Sequence, residues 1–406
     1  MPSYETKNNN FCIRPFTAID VTTRGKIRAC CMIQSEHSEF EGRKTFSINN
    51  KIKNYWNSDY RKHLTKNFLQ NKRLPECKKC WDQENSKLIS HRQLGNRSQK
   101  VLFNKNFEQH LLKLNKLDIE RPEEINLSIT NLCNLKCQMC EGASSSTLLN
   151  ENIKLGFEKD IQQKDYDWAK SSKIQFINDL LKHDLRTLNL MGGESLMVPE
   201  ILKILKELSA RKDVTDNLEL TVITNGTTLN NKIFDILNKF KKLKLMISME
   251  STGKQNEYMR FPSKWEIVEQ NILKYKTLDN ASLYINCVVQ NLNILYIDQL
   301  IEFAVKHHIH LNFTILDGPT YLKFDNLPYT IIKRSLDKLK KIPPQKFTHV
   351  TNIENLLLLM QKRINERHVP PAHEYKKFTT MIQARDNHRK ISIKNYMPEL
   401  AEEILL

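Results

Sequence analysis

An α/β fold is predicted, with a partial (β/α)6 barrel at its centre, a small α+β module before it and a helical extension after it. Three observations lead there. Between residues 124 and 325, six short apolar runs alternate with helix-length amphipathic stretches, the pattern of repeated parallel βαβ units. Ahead of residue 115 the chain carries cysteines, short β-like runs and a charged helical stretch. Beyond residue 326 it is charged and helix-like. At roughly 100–200 residues per domain, 406 residues suit two or three domains, and boundaries at 1–115, 124–325 and 326–406 follow.

The first part opens with the β-like runs Phe16–Val21 and Lys26–Cys31. A charged helical stretch follows, from Ile48 to Gln70, and then a turn at Pro75-Glu76-Cys77. Leu117 to Glu124 reads as a charged connector containing Pro122. The strand candidates are Ile125–Thr130, Thr187–Met191, Glu219–Thr224, Lys244–Met249, Ser282–Val289 and His310–Leu316. Each is rich in Ile, Leu, Val or Thr and is bounded by Asn, Gly or Asp. Between them lie amphipathic segments such as Ile174–His183, Glu200–Ala210 and Lys232–Phe240. A parallel barrel places its chemistry at the carboxyl ends of its strands. The last part contains a helix break at Pro343-Pro344.

Composition narrows the function. Lys and Arg number 63 against 46 Asp and Glu, a net charge of +17. That excess can serve an acidic partner such as a nucleic acid, but enrichment in Lys, Asn and Ile also suits codon bias. No RNA-binding motif or basic–aromatic stacking pattern accompanies it. A hydrophobic content of 40% builds a sizeable core and excludes wholesale disorder. The longest apolar run, around Leu356–Met360, is far short of the roughly 18 residues of a membrane span. Met1 to Phe11 is polar and lacks the plan of a signal peptide. A soluble cytoplasmic protein is expected, and in a reducing compartment nine cysteines point to metal or redox chemistry instead of disulfides. Eight are grouped: Cys12 with Cys30 and Cys31, Cys77 with Cys80, and Cys133 with Cys137 and Cys140; Cys287 stands alone as a small hydrophobe.

The central group is C-x3-C-x2-C, directly after the first barrel strand. Three thiolates on one loop can hold three irons of a [4Fe–4S] cube and leave the fourth open. Zinc normally wants four ligands, and no fourth Cys or His is close by in sequence. This motif on a six-fold β/α chain resembles the radical S-adenosylmethionine (SAM) superfamily, over residues of about 124–320. Met191-Gly192-Gly193-Glu194 closes the second strand and matches the family's Gly-Gly-Glu motif, which implies that Gly192, Gly193 and Glu194 hold the amino group of SAM. Thr224-Asn225-Gly226 closes the third strand like the family's Thr-Asn-Gly, and Asn225 is carried over with it. Ser248-Met249-Glu250 closes the fourth, where the family places a polar residue, here Ser248 or Glu250, on the ribose. Arg260, in Glu257-Tyr258-Met259-Arg260, matches an Arg that pairs with the SAM carboxylate, as guanidinium geometry favours. Val289, with Val288, would lie near the adenine. Before the third cysteine the family usually has an aromatic residue; here Met139 stands there, and its thioether can still flank adenine.

In the N-terminal part, Cys12, Cys30, Cys77 and Cys80 complete a shell that suits Zn2+ and a fully ligated [4Fe–4S] cluster equally well. C-x12-G-x4-C over Cys12, Gly25 and Cys30, followed by Cys77-Lys78-Lys79-Cys80-Trp81-Asp82-Gln83-Glu84, looks like the twitch or SPASM module of radical SAM enzymes. Ser90 and Arg92 continue that pattern, while Lys87 stands where Gly is usual. In the family this module follows the barrel; here it precedes it. The resemblance implies iron, in one auxiliary [4Fe–4S] cluster of the short, twitch type. Cys31, next to Cys30 on an expected strand, would point to the opposite face and is read as a neighbour, not a ligand.

The resemblance thus implies an oxidoreductase-type enzyme that cleaves SAM reductively at one [4Fe–4S] cluster, forming a 5′-deoxyadenosyl radical that abstracts hydrogen from a substrate, with the second cluster aiding oxidation. A small sugar or cyclitol-like substrate is expected, with a flavodoxin- or ferredoxin-type electron donor. The alternatives are a maturase of ribosomal peptides, or an iron–sulfur or zinc scaffold that binds nucleic acid without catalysis. Asp317 and Tyr321, on the loop after the sixth strand, are candidates for substrate contact, and the segment Asp386-Asn387-His388-Arg389 can close the open side of the barrel.

Overall fold

Apolar alternation places the strands. The computed structural model describes residues 10–33, 52–85, 89–103, 121–159, 166 and 185–404; the expected helix Ile174–His183 lies outside the described residues. Its strands are β1 (Ala18–Val21), β2 (Ile27–Arg28), β3 (Glu124–Ser128), β4 (Thr187–Met191), β5 (Glu219–Thr224), β6 (Lys242–Ser248), β7 (Ala281–Val289), β8 (His310–Ile315) and β9 (Val350–Thr351). β3 to β8 are the six expected barrel strands, with ends shifted by at most two residues. The chain divides into two compact units, and β5 runs from the last segment of the first into the second.

The first unit comprises Met1–Thr130, Gln162–Gly192 and Lys206–Leu220. Its ladder runs β2-β1-β3-β4. β1 and β2 form an antiparallel hairpin whose turn needs Gly25 at φ 68°, a value glycine adopts without steric cost. β1 also pairs in parallel with β3, and β3 with β4. Every residue of β1 and β3 is buried, as parallel strands covered on both faces are. Arg14 bonds Glu124 at 2.8 Å across this ladder. The expected helical stretch is two helices, Ile52–Trp56 and Asp59–Leu69, because the Ser58 hydroxyl accepts from the Arg61 N–H and starts the second. Arg61 is buried and donates to the carbonyls of Pro15, Trp56 and Phe16 at 2.9, 3.1 and 3.2 Å, which anchors the segment between Cys12 and β1.

The second unit comprises Asn131–Ile161, Gly193–Leu205 and Thr221–Leu406. Its ladder runs β6-β7-β8-β9, all parallel. The two-residue β9, arising after the Pro343-Pro344 break, adds a strand that hydrophobic runs did not signal. Like β2 in the first unit, β9 ends its ladder with one neighbour, so neither ladder closes on itself. The region after β8 is otherwise helical, as expected, with helices Tyr329–Leu339, Ile353–Asn365 and Ala372–Arg389. The last of these reaches back to the cysteine loop. Arg389 pairs with Glu151, the two side chains fully buried, and donates to the Lys136 carbonyl at 2.8 Å.

Burial alone would raise the Glu151 pKa, but hydrogen bonds and charge from Arg389, helped by Lys136, hold it below the usual carboxylate value. A depressed folded-state pKa contributes stability above the unfolded pKa that is lost as pH falls through the folded one. Removing one partner strands the other charge. Arg389→Ala is therefore expected to cost about 3–5 kcal/mol in denaturant unfolding and to shrink the loss of stability on acidification below the ordinary Glu range.

Candidate functional site

The cysteine loop that follows β3 is neither helix nor strand, so its backbone is held by side chains and by neighbouring segments. Ser145 and Thr147 hydroxyls donate to the Leu135 carbonyl at 2.6 and 2.8 Å. The N–H groups of Lys136 and Gln138 donate to the carbonyls of Phe261 and Met259 at 2.6 and 2.8 Å. Cys133 and Cys137 are buried, Cys140 is half-buried, and Met139 packs against the group. Burial pushes all three thiols up, Cys140 to about 12. Cys137 and Cys140 are pushed further by the neighbouring thiols, while the Arg260 charge works the other way.

Of the residues carried over from the family, several converge here. Gly193 lies so close to the loop that a Cβ on it would meet the Leu132 oxygen at 2.1 Å, and the next N–H, that of Glu194, donates to the same oxygen at 2.8 Å. The Glu194 carboxylate is fully buried. It accepts from the Thr224 hydroxyl at 2.7 Å, from the Asn225 N–H at 2.6 Å and from the Leu196 N–H at 3.3 Å, joining the Gly-Gly-Glu turn to the end of β5. Burial raises its pKa against those bonds. The Asn225 amide lies 3.9 Å from the Cys133 sulfur and donates to Asn134 at 2.9 Å. Arg260 sets one nitrogen 3.7 Å from the Cys137 sulfur. The rest of its fork grips Glu250 through two bonds, the longer 3.0 Å, so Arg260 and Glu250 pair with each other.

Others sit at the expected strand ends without joining this network. Gly192, at φ 120°, ends the second segment of the first unit, and a Cβ there would meet the Thr130 oxygen at 2.8 Å. Ser248 is the half-buried last residue of β6, opposite Asn286. Val289 is the buried last residue of β7, opposite Ile315. Asp317 is exposed. Tyr321 is buried against Arg385, and Arg385 in turn donates to the Gln138 carbonyl and side-chain oxygen at 2.8 and 2.9 Å.

Sequence reasoning passed over Arg385, Gln290 and Ser251. The Gln290 amide, just after β7, has both polar atoms buried without a protein partner, and so has the Ser251 hydroxyl beyond β6. Such groups are costly unless something polar meets them. Their position directly past strand ends was the available signal.

The donor set fits an iron–sulfur cluster: three neighbouring thiols, two buried and one half-buried, protonated when free, with amide and guanidinium donors aimed at sulfur. Metal binding to such thiols releases their protons. The unpartnered Gln290 and Ser251, just past the ends of β7 and β6, fit a polar ligand.

In the first unit, Cys12, Cys30, Cys77 and Cys80 line one cavity with Arg92 and Ile33. Burial raises the pKa of Cys12, to about 12, and those of Cys77 and Cys80. Ser90 and Arg92, which continued the motif, both bond Glu84. Arg92 also caps the Phe11 carbonyl, and Asn96 holds the Ile13 N–H at 3.0 Å, so the Cys12 segment is fixed on both sides. Four soft donors around one apolar hollow fit either metal centre considered above.

Residues 127–304 match the sequence profile of the Radical SAM superfamily. That match spans less than half of the chain. The chain is also similar to curated proteins. It is 24% identical over 204 residues, half of this chain and 29% of the relative, to molybdenum cofactor biosynthesis protein 1 of Dictyostelium discoideum. It is 25% identical over 228 residues, 54% of this chain and 64% of the relative, to a probable GTP 3',8-cyclase of Sulfurisphaera tokodaii. The chain thus spans less than two thirds of the length of these relatives. Among solved structures, SuiB of Streptococcus suis bound to S-adenosylmethionine is similar over 61% of this chain and 54% of that one, at 17% identity and a TM-score of 0.42.

Because Gly193 has no room for a side chain, Gly193→Ala is expected to displace the loop carrying Cys133. After anaerobic reconstitution, the iron held by this loop should fall from about four to below about one per chain, with the far-UV circular dichroism unchanged.

Proposed function

We propose that the protein is a radical SAM oxidoreductase acting on a small polar molecule. The observation that carries this reading is the match to the Radical SAM superfamily over residues 127–304, which opens on a loop that groups three thiols, two buried and one half-buried. Cys133, Cys137 and Cys140 would hold a [4Fe–4S] cluster, and the chemistry a reduced cluster and SAM supply when bound is cleavage of SAM to methionine and a 5′-deoxyadenosyl radical able to take hydrogen from an unactivated carbon.

The chain's own residues do the positioning. Glu194 braces the turn after β4 against Thr224 and Asn225 and keeps the Gly193 backbone at the loop, where it can meet the SAM amino group. Arg260 presents its third nitrogen to Cys137, and Glu250 fixes the guanidinium plane, which leaves that nitrogen's outer edge for the carboxylate of SAM. Burial of this network excludes water, which protects a reactive radical from side reactions. Gln290 and Ser251 are the polar groups available to SAM or substrate beyond β7 and β6, and Tyr321 and Asp317 face the substrate from the loop after β8.

We further propose that residues 1–115 form an auxiliary module, with Cys12, Cys30, Cys77 and Cys80 holding a second [4Fe–4S] cluster that accepts an electron, before the barrel at 124–325 and the extension at 326–406. A flavodoxin- or ferredoxin-type protein would supply the first electron. A sugar or cyclitol alcohol remains the substrate class of choice. A purine nucleoside triphosphate is the second reading, favoured by the relatives named GTP 3',8-cyclase.

Anaerobic reconstitution should give about eight irons per chain with matching sulfide. Dithionite should then release 5′-deoxyadenosine from SAM. Cys133→Ala is expected to lose about four irons and all SAM cleavage, and Cys77→Ala to lose the other four while retaining cleavage. Uptake of zinc with no iron would overturn the proposal.

A further inference from the structure

Cys31 is not turned away from Cys30. β2 ends at Arg28, so strand alternation no longer applies two residues later. Cys30 and Cys31 instead lie in a turn closed by the Ile33 N–H on the Cys30 carbonyl at 3.2 Å. Their sulfurs meet His91, the first residue of the helix His91–Phe103. The ligand atoms of Cys30, Cys31 and His91 all lie within 4.8 Å of one another, and the Cys31 sulfur is 3.5 Å from His91 Nε2.

We propose that Cys30, Cys31 and His91 form a site for a single thiophilic divalent cation of the Zn2+ type, sharing Cys30 with the set of four cysteines. At Zn–S and Zn–N bond lengths of about 2.3 and 2.0–2.1 Å, the S···N edge of a tetrahedron is about 3.5 Å and the S···S edge about 3.8 Å. The Cys31–His91 separation of 3.5 Å already matches the first, and the other two are at most 4.8 Å. Cys30 is buried while Cys31 and His91 are half-buried, which leaves an entry path and a fourth position for water. The Met32 N–H points at the Cys30 sulfur at 3.5 Å. Arg14 is close enough to both thiols to feel them: burial opposes its charge, but Glu124, Cys30 and Cys31 raise its pKa. The hydrogen bond with Cys30 and burial push the Cys31 thiol up, so a bound cation displaces its proton. Because Cys30 belongs to both sets, a single ion here competes with completion of the four-cysteine set. That consequence rests on the auxiliary-cluster reading; the site itself does not.

The test is Co2+ titration of the metal-free full-length chain under anaerobic conditions, read by tetrahedral d–d and thiolate charge-transfer absorption, with alkylation mapping of the cysteines on the same samples. Wild type should show a bound cobalt that protects Cys30 and Cys31 while Cys12 and Cys77 stay reactive. His91→Ala and Cys31→Ser should each weaken this binding at least about a hundredfold, and Cys12→Ser and Cys77→Ser should leave it unchanged. Cobalt binding indifferent to His91→Ala, or protection of Cys12 and Cys77 in place of Cys31, would overturn the site. Neither result depends on iron or on SAM cleavage, so the outcome is separate from that of the proposed function.

Discussion

The second unit depends on keeping an irregular loop rigid. Cys133 to Cys140 has no helical or strand hydrogen bonds of its own, yet its thiols are buried, and unmet backbone groups there would be costly. The solution is borrowed geometry. Two N–H groups of the loop find the carbonyls on either side of Arg260, two hydroxyls converge on Leu135, and Gly193 and Glu194 close against Leu132. The residues that fasten the loop are therefore the immediate neighbours of those that face its sulfurs. Position and chemistry are coupled through the same short segments.

Buried charge around this loop follows one rule. Each guanidinium that reaches it is matched either to a carboxylate or to several neutral acceptors. Arg260 has Glu250, Arg389 has Glu151, and Arg385 has the two Gln138 oxygens with Asn152. Pairs of this kind add less net stability than their Coulomb energy suggests, because both ions lose water. Their value here is directional: a forked guanidinium fixes the plane and reach of whatever it grips. Arg385 is the least well neutralised of the three, and burial lowers its pKa, which makes the neighbourhood of Tyr321 the most receptive part of this unit for an electron-rich group.

The first unit solves a related problem with fewer residues. Its cysteines come from a turn, a hairpin end and a short helix, far apart in sequence, and they are brought around one hollow by Arg61, Arg92 and Asn96 acting on backbone carbonyls and N–H groups of residues 11–16. Arg92 does this while paired with Glu84, so the motif residues that surround the Cys77–Cys80 pair are a brace for the Cys12 segment.

Much of this was legible in the sequence. The six strands β3 to β8 and helices such as Pro199–Ser209 and Asn231–Leu237 were visible as apolar periodicity, because burial of one face imposes a local repeat on the chain. The C-x3-C-x2-C loop and the four N-terminal cysteines were visible because soft donors at short spacing stand out in a chain. Tertiary structure alone decided the rest. It paired β1 with β3, added β9, matched Arg260 to Glu250, and brought His91 to Cys31 across 60 positions. Those contacts depend on where turns send the chain, and a turn's direction is set by packing many residues away and leaves no periodic trace. Alternation predicted that Cys31 would face away from Cys30; it failed there because the strand had already ended, and a strand end is where side-chain direction ceases to be a local property.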